Sequence, residues 1–599
     1  MPRAPWIVVS LTRHGITAAV VALIVATLAF VAVRLAPGDL AYRVAAARYG
    51  DRFNVQYAEE IRAAAGLDQP VAVQYLRWIG SVFSGDFGRS IVTNRPVFDE
   101  LMRGFGPTAL VIGFGAGLAL LVSLVVGTVA GLGPDGPFDR ACLALSAAIS
   151  SIPPYLIGMM LIFAFAIRLQ WLPAAGSSLG GYAVLPALTL AIAHASGLIR
   201  VVRNAVARTA GDFYVTYGRI KGQSWARIAV FHALRPTMVP VIAYFGPSVA
   251  NLLGGLVVAD VLFNLDGIGS QFIGSVLAAD IPMALGAGLI LGLFVVLVNG
   301  RDGHSDQAAR SARVRAGASG MSALELVPET KPNSRPVLVF GVVPLAAMLL
   351  LALVGPAVLT VDPNRQVLAD AFAAPFGDYL LGADSLGRSV AARVVDAART
   401  SLGLAVFAVA ASMVTGIVLG FLSAYRGGWI EYGIMRVVDV VIACPTLLFV
   451  ILVSGLLGGG YGPVFFGLWM SQWPAFTRLA SAVTRRELIS DHVESARLLG
   501  FSTGYVFWRH VLPGIGPYLY SLAALAIGGN VLTISSVGFL GIGLRPPDAE
   551  WGAMIADGMQ FVRETPHVVL APAAAVLICT FAATILGEHL GARQQKPGA

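Results

Sequence analysis

Charged residues are scarce in this chain of 599 residues. Asp, Glu, Lys and Arg together make up 12% of it, whereas hydrophobic residues make up 57%. A soluble domain carries roughly a quarter charged residues, so half of that share leaves too few polar side chains to cover a water-facing exterior. The composition therefore predicts that most of this protein faces lipid.

Cysteine and lysine are also rare. The three cysteines, Cys142, Cys444 and Cys579, lie in separate apolar runs, a spacing that fits neither a disulfide framework nor a metal site. We interpret them as small buried hydrophobic residues. Gly or Pro follows each of the three lysines, so the chain has no Gly-Lys-Ser/Thr sequence to hold nucleotide phosphates. The eight histidines are scattered, and we expect neither a catalytic site nor a bound cofactor.

The formal net charge is +8, a value that in a soluble protein would raise the question of a nucleic-acid partner. The sequence shows no basic stripe with interleaved aromatic residues, which is the pattern such a partner requires. Basic residues that flank membrane spans on the cytoplasmic side account for the charge. We therefore expect no nucleic-acid binding.

Long apolar runs are what the sequence has in abundance. A membrane span needs about 20 apolar residues, and in hydrocarbon such a run must be helical to satisfy its own backbone. The basic N-terminus leads into a run that is too long for a signal-peptide core, so we interpret it as a retained first span. Six runs in each half give an all-α membrane protein of about 12 spans, at 14–34, 107–131, 141–167, 183–202, 237–259 and 283–299, then 337–360, 401–424, 434–457, 462–483, 515–538 and 568–587.

The two sets of spans are separated by a polar linker at 303–335, so we expect a first half at 1–302 and a second at 336–599. Short cytoplasmic loops are rich in Lys and Arg. Segment 203–236 carries six of these residues, whereas 260–282 carries none. This asymmetry predicts that 203–236, the linker and both termini are cytoplasmic. The long segment 35–106 then lies outside.

The two halves repeat each other in sequence. A shift of 278 residues aligns a series of identical residues around one loop, among them Arg219 with Arg497, Gly222 with Gly500 and His232 with His510. Each half also has a Gly-xxx-Gly pair in its second span and a proline that interrupts its third. We interpret the glycine pairs as sites of close helix packing. Both halves start on the same side of the membrane, so the repeat is parallel, with a pseudo-two-fold axis along the membrane normal.

The aligned loop of the second half reads DHVESARLLG over 491–500 and HVLP over 510–513. Apolar residues at helical spacing, Val493, Ala496 and Leu499, predict a short amphipathic helix on the cytoplasmic face, and Gly500 would turn the chain. The segment resembles the EAA loop of binding-protein-dependent ABC importer permeases. That resemblance implies a contact with an ATPase subunit through Glu494, Ser495, Ala496, Gly500, Leu512 and Pro513.

The corresponding loop of the first half keeps the glycine but has Thr216 where the family has Glu. By the same resemblance its candidate residues for ATPase coupling are Tyr214, Val215, Thr216, Gly218, Lys221 and Gly222.

Further stretches resemble the dipeptide, oligopeptide and nickel branch of this permease family. GLDQP at 66–70 and GDFGRS at 85–90 look like its first permease subunit, while LGADSLGR at 381–388 and SSVGFLGIG at 535–543 look like its second. The resemblance implies a type I ABC importer fold in the bacterial inner membrane, two separate cytoplasmic ATPase subunits that bind the ATP, and an extracytoplasmic substrate-binding protein. Peptides are the expected substrate, with nickel or another small solute as the alternative.

An ion-coupled secondary transporter is the main rival interpretation, and a membrane scaffold is another. Secondary transporters place carboxylates within their spans, and the predicted spans contain almost none. Asp439 is the exception, and Arg436 one helical turn away predicts an ion pair there. His194 in the fourth span could line a pathway, but we favour a hydrogen-bonded packing role. A scaffold explains neither the repeat nor the paired loops.

Overall fold

The computed structural model describes residues 27, 30, 39–50, 54–64, 66–176, 181–299, 338–358, 361–442, 444–545 and 547–593. This part of the chain is helical, and its only β-type pairings are two isolated bridges, Arg89 with Pro96 and Ala383 with Ser389. The predicted first span lies outside the described residues apart from Thr27 and Phe30. The predicted linker at 303–335 also lies outside them.

The described residues form two compact units. The first is drawn from residues 1–150, 154–326 and 443–458. Its helices from the first half of the sequence are α1 (Leu40–Tyr49), α2 (Val55–Ala64), α3 (Val71–Phe83), α4 (Val97–Leu132), α5 (Pro137–Ser150), α6 (Pro154–Leu161), α7 (Val184–Ala210), α8 (Phe213–Ile220), α9 (Trp225–Leu262), α10 (Ile268–Leu277) and α11 (Ile281–Asn299).

The second unit is drawn from residues 151–153, 327–442 and 459–599. The helices of the second half of the sequence are α12 (Val343–Val358), α13 (Val390–Arg426), α14 (Gly428–Ile442), α15 (Thr446–Leu456), α16 (Tyr461–Leu488), α17 (Asp491–Leu498), α18 (Thr503–Phe539), α19 (Trp551–Met559) and α20 (His567–Arg593). Of these, α15 belongs to the first unit and the others to the second.

Six described helices are long and apolar enough to cross a membrane: α4, α7, α9, α13, α18 and α20. The number rises to eight if each of two bent helix pairs forms one span. The runs at 283–299 and 337–360 fall on shorter apolar helices, and the run at 462–483 falls on α16, outside the six. The predicted runs within the described residues therefore fall on helices, apart from a break in the third run of each half.

The helix is broken in the third predicted span of each half. Helix α5 and the helix of Pro154–Arg168 that begins with α6 meet at an angle of 101° around Pro153 and Pro154, and a break before Pro445 separates α14 from α15. Proline lacks the backbone N–H that would continue the helix and restricts the residue before it. The interruption predicted at these prolines is confirmed, and the runs 141–167 and 434–457 each contain two helices.

The Gly-xxx-Gly pairs lie where two long helices approach each other closely, α4 with α7 in the first unit and α13 with α16 in the second. A Cβ atom on any of the four glycines would lie 2.3–2.7 Å from an atom of the facing helix. The contacts are Gly127 with Val202, Gly131 with Val206, Gly416 with Phe476, and Gly420 with Ala480. The packing role predicted for these glycines is confirmed.

The cysteines are free thiols, as expected from their spacing. Cys142 and Cys579 are buried, and Cys444 is half-buried beside the break between α14 and α15. No group of His, Cys, Asp and Glu side chains among the described residues could hold a metal ion.

Candidate functional site

Two short helices occupy equivalent places in the repeat. Helix α8 (Phe213–Ile220) follows the end of α7 at Ala210, and α17 (Asp491–Leu498) follows the end of α16 at Leu488. The offset of 278 residues that aligns the sequences also aligns both helices from first to last residue. The sequence repeat is thus a structural repeat at this loop.

The same local chemistry begins and ends both helices. Asp212 and Ser490 precede them in an extended conformation. Gly222 and Gly500 follow with φ of 70° and 81°, a left-handed conformation that a side chain disfavours. The next amide N–H then turns back to a carbonyl five residues earlier, at 3.1 Å in the first loop and 3.2 Å in the second. Each loop therefore stops its helix at a fixed point and reverses the chain.

One face of each short helix is anchored to the protein. Val493 and Ala496 are buried in an apolar cluster with side chains from α13, α16 and α18, including Phe476 and Ile515. In the first half the corresponding positions are Val215, which is fully buried, and Gly218. The predicted amphipathic character is confirmed, because each helix buries positions three residues apart and exposes the rest.

The opposite face of each helix is exposed and partly apolar. Phe213 and Ile220 are 82% and 77% exposed, and Leu498 and Leu499 are 82% and 76% exposed. The expected grouping of Leu499 with Val493 and Ala496 on the buried side is therefore wrong, since the helix ends at Leu498 and Leu499 already leaves its periodicity. Exposed large apolar side chains on one face of a helix are typical of a contact surface.

The remaining predicted coupling residues fall around this exposed surface. Thr216 and Glu494 are exposed at equivalent positions, and Lys221 places its Nζ 4.6 Å from the ring centre of Tyr217. Tyr214 and Ser495 are exposed as well, while Leu512 and Pro513 lie further along the chain within α18.

A second turn of helix connects each short helix to the following long helix. Ser224 and Ser502 cap it, accepting hydrogen bonds from the amides of Arg227 and Tyr505. This turn is the first turn of α9 and of α18, and a π-helical stretch follows it in both halves, at Ile228–Leu234 and Phe507–Val511. Only the connections 221–224 and 499–502 therefore separate the short helices from the long ones.

Comparison with known proteins decides the family. The binding-protein-dependent transport system inner membrane component matches residues 123–310 and 416–596, together more than half of the chain. The N-terminal domain of such membrane components matches residues 7–111. The chain belongs to this family. It is a multi-pass inner-membrane permease with two copies of the permease domain, and it is a transport component rather than an enzyme.

Curated relatives of the permease include the glutathione transport system permease proteins GsiC. The protein from Salmonella paratyphi A (strain ATCC 9150 / SARB42) is 35% identical over 277 residues, which cover 46% of this chain and 89% of the relative. The protein from Escherichia coli (strain K12) is 33% identical over 276 residues, with the same coverage. Membership of a binding-protein-dependent system implies ATPase and binding-protein partners, and the ATP site belongs to the separate ATPase.

The charged groups of the permease helices were only partly foreseen. Asp439 accepts hydrogen bonds from Arg436 at 3.3 Å, as predicted, and from Arg478 at 2.7 Å. Asp439 is the carboxylate within the predicted apolar runs, and the helices that contain two other runs also carry Asp260, buried within α9, and Asp396, within α13. Both fall just outside the predicted apolar runs, since each helix extends beyond its run. These carboxylates do not favour ion coupling, given the family.

A buried ion pair joins Asp139 of α5 to Arg203 of α7, and sequence analysis missed it. The Nε atom of Arg203 donates to the carboxylate at 2.7 Å, and both side chains are almost fully buried. Opposite charges at such depth need each other, because either alone would be costly to bury. His194 has the packing role favoured for it, with its ring Nδ1 3.2 Å from the carbonyl oxygen of Leu190.

Buried carboxylates also cap the short helices α10 and α19, at a matching place in each half. Asp260 accepts a hydrogen bond from the amide of Gly269 at 3.0 Å. Glu550 accepts from the amides of Gly552 and Ala553 at 2.8 and 2.9 Å. Partially positive helix N-termini attract such carboxylates. Sequence analysis found neither cap, although the alignment of Asp260 with a glycine, Gly538, could have indicated the first.

Proposed function

We propose that this permease supplies both membrane-spanning halves of one importer, with six spans per half and both termini in the cytoplasm. One ATPase subunit would bind α8 and another would bind α17. The observation that carries this proposal is the pair of equivalent helices, each anchored on one side by Val215 or Val493 and presenting exposed apolar residues on the other. A duplicated contact surface suits a duplicated partner.

The proposed mechanism is alternating access. ATP binding draws the two ATPases together, and α8 and α17 move with them. Because each short helix leads through one turn into a long helix, the movement would reorient α9 and α18 and open the pathway outward. Hydrolysis of ATP then resets the inward-facing state.

Reconstitution with separate ATPase and binding-protein subunits tests this function. We expect solute uptake that needs ATP hydrolysis and persists when the proton gradient is collapsed. Uptake that continues without the ATPases and stops with the gradient would contradict the proposal and support a secondary transporter.

Substitution of the exposed apolar surface tests the docking role directly. Leu498→Asp should abolish co-purification of the ATPase, because it places a charge in an apolar contact while leaving the buried face of α17 untouched. Leu368→Asp is the matched control, since Leu368 is a comparably exposed apolar residue on the segment between α12 and α13. Glu494→Ala should lower ATP-driven uptake without lowering the folded yield. Equal ATPase recovery with Leu498→Asp and Leu368→Asp would rule out this surface.

We further propose that the substrate is a peptide, a class that includes glutathione. The identity to glutathione permeases supports this assignment. Uptake of labelled di- and oligopeptides, with glutathione and nickel as competitors, tests it. Competition by nickel alone would point to the nickel alternative.

A further inference from the structure

Helix α3 (Val71–Phe83) belongs to the segment between the first span and α4, and its side chains divide among three faces. With 3.6 residues per turn, residues 74, 77 and 81 share a polar face and residues 72, 76 and 79 share an apolar face roughly opposite to it. A third face, between these two, carries residues 75 and 78. The polar face carries Gln74, Arg77 and Ser81. The apolar face carries Ala72, Leu76 and Ile79, and the third, aromatic face carries Tyr75 and Trp78.

The aromatic face fixes the position of α3 beside the first span. A hydrogen bond of 2.5 Å joins the hydroxyl of Tyr75 to that of Thr27, and the ring of Phe30 lies 5.2 Å from Tyr75 and 6.4 Å from Trp78. Thr27 and Phe30 fall within the apolar run 14–34. In the helix that the sequence predicts there, they lie about 6 to 10 Å before its end. That is the depth at which interfacial helices lie, about 5 to 10 Å into the headgroup boundary.

The polar face of α3 points toward other polar groups of the same segment. The amide of Gln74 donates to the carbonyls of Leu67 and Gln69 at 3.1 and 2.6 Å. The loop that contains Leu67 and Gln69 therefore contacts Gln74 on this side, while Arg77 on the same face is exposed.

The apolar face of α3 is only partly covered by protein, since Ala72 and Leu76 are exposed and Ile79 is half-buried. Leu76 is 68% exposed, and no residue of α3 whose side chain is described is buried. Apolar surface left in water costs roughly 25 cal/mol per Å², and the contacts of Tyr75 put α3 beside Thr27 and Phe30, near the predicted end of an apolar run. Trp and Tyr are also the residues enriched at membrane–water boundaries.

We propose that α3 is an interfacial helix that lies flat in the membrane–water boundary, with Ala72, Leu76 and Ile79 in contact with lipid. The segment between the first span and α4 is then held against the bilayer instead of standing free in solution. This assignment requires only that the permease is in the membrane, so it does not depend on the ATPase or the substrate.

Spin labelling in lipid nanodiscs tests the proposal. The native Cys142, Cys444 and Cys579 would be replaced by Ala, and single cysteines introduced for nitroxide labels as Ala72→Cys, Leu76→Cys and Arg77→Cys. Collision rates with oxygen, which partitions into lipid, and with a water-soluble nickel chelate report the environment of each label. The matched control is Val55→Cys, because Val55 is an exposed apolar residue on α2 in the same segment.

We expect the ratio of oxygen to nickel accessibility to be several-fold higher at positions 72 and 76 than at positions 77 and 55. A size-exclusion profile matching the unlabelled permease would establish that each variant is folded. High nickel accessibility at all four positions would overturn the proposal. So would a label at position 76 that is open to water in the nanodisc and becomes protected only when the binding protein is added, since the face would then be a protein-docking surface.

Discussion

At the residue scale, both halves cap a short helix with a buried carboxylate, but the carboxylate comes from opposite sides of the contact between the short helix and the preceding long helix. In the first half Asp260 reaches from α9, and Gly267 leaves room for it, because a Cβ there would lie 2.2 Å from the carboxylate. In the second half Glu550 precedes α19, and Gly538 of α18 leaves the room. Two carboxylates, one on each side, would clash. If neither side had a carboxylate, buried amides would be left unpaired.

This arrangement predicts that the carboxylate can be relocated. Glu550→Gly should destabilise the permease by about 1–3 kcal/mol, because the buried amides of Gly552 and Ala553 lose their acceptor. Gly538→Asp should also destabilise it, because of the clash with Glu550. The double variant Gly538→Asp with Glu550→Gly reproduces the first-half arrangement and should recover most of the lost stability. Thermal unfolding of the purified variants measures this, and simple addition of the two losses would contradict it.

The burial of Glu550 also predicts a pH dependence. Burial raises the pKa of this carboxyl from 4.5 to about 7, although the hydrogen bonds from Gly552 and Ala553 oppose the shift. The folded protein then binds a proton that the unfolded chain has released, so the contribution to stability is full below pH 4.5 and lost as the pH rises to about 7. The loss should be about 3 kcal/mol at most.

Comparison with Glu550→Gln isolates this effect, because glutamine keeps the size and an oxygen acceptor but does not titrate. The melting temperature of the wild type relative to the variant should fall between pH 4.5 and pH 7. A difference that stays constant over this range would show that Glu550 is charged in the folded state throughout.

At the element scale, helix contacts depend on the absence of side chains at particular points. Gly420 of α13 faces α16 so closely that a Cβ would lie 2.6 Å from that of Ala480, whereas Gly403 of the same helix has no atom within 4 Å of its Cβ position. Gly420→Val should therefore destabilise the permease by about 1–3 kcal/mol through overpacking. Gly403→Val should have little effect on its stability. Folded yield after membrane extraction compares them, and equal yields would exclude a packing role for Gly420.

Some features of the helices could be predicted from the sequence because they depend on residue size and on the length of apolar runs. Glycine spacing and apolar length report on helix packing and membrane crossing, so the glycine pairs and the helical runs were predictable. The angle of a break was not, because Pro153 and Pro445 indicate where a helix ends but not which way the next one leaves. The carboxylate caps escaped notice since each joins residues 9 positions apart or fewer across a turn whose geometry no periodicity encodes.

The two loops that contain α8 and α17 were the most predictable feature of the candidate site. The repeat at an offset of 278 residues located both loops in the sequence. The spacing of three residues between Val493 and Ala496 identified the buried side of the short helix. The exposed apolar residues Phe213 and Leu498 were not singled out. Amphipathic periodicity identifies the buried face of a helix. It does not show which exposed apolar residue, such as a leucine at the end of an eight-residue helix, belongs to a contact surface.

At the scale of the whole molecule, the folded units differ from the halves of the sequence. The first unit includes residues 443–458, which come from the second half and contain α15. Every residue of α15 from Leu448 to Leu456 is buried, and within this unit the helix packs against α9 and α10, with Leu447 next to Gly254. A chain that stops before the linker lacks this helix, so its unit would have an uncovered apolar surface where α15 belongs.

Because the first unit contains a helix from the second half of the sequence, we can predict how the permease behaves when it is expressed as two separate chains. Residues 1–302 expressed alone should be degraded or aggregate, whereas co-expression with a separate chain of residues 336–599 should restore a stable complex, because the second chain supplies α15. Ile451→Asp in the second chain should abolish the rescue, since Ile451 is fully buried, and Trp429→Asp should not, since Trp429 on the neighbouring α14 is largely exposed. Recovery of tagged 1–302 from membranes measures each case. If 1–302 alone is as stable as in the complex, or if both substitutions act alike, α15 is not the element that completes the first unit.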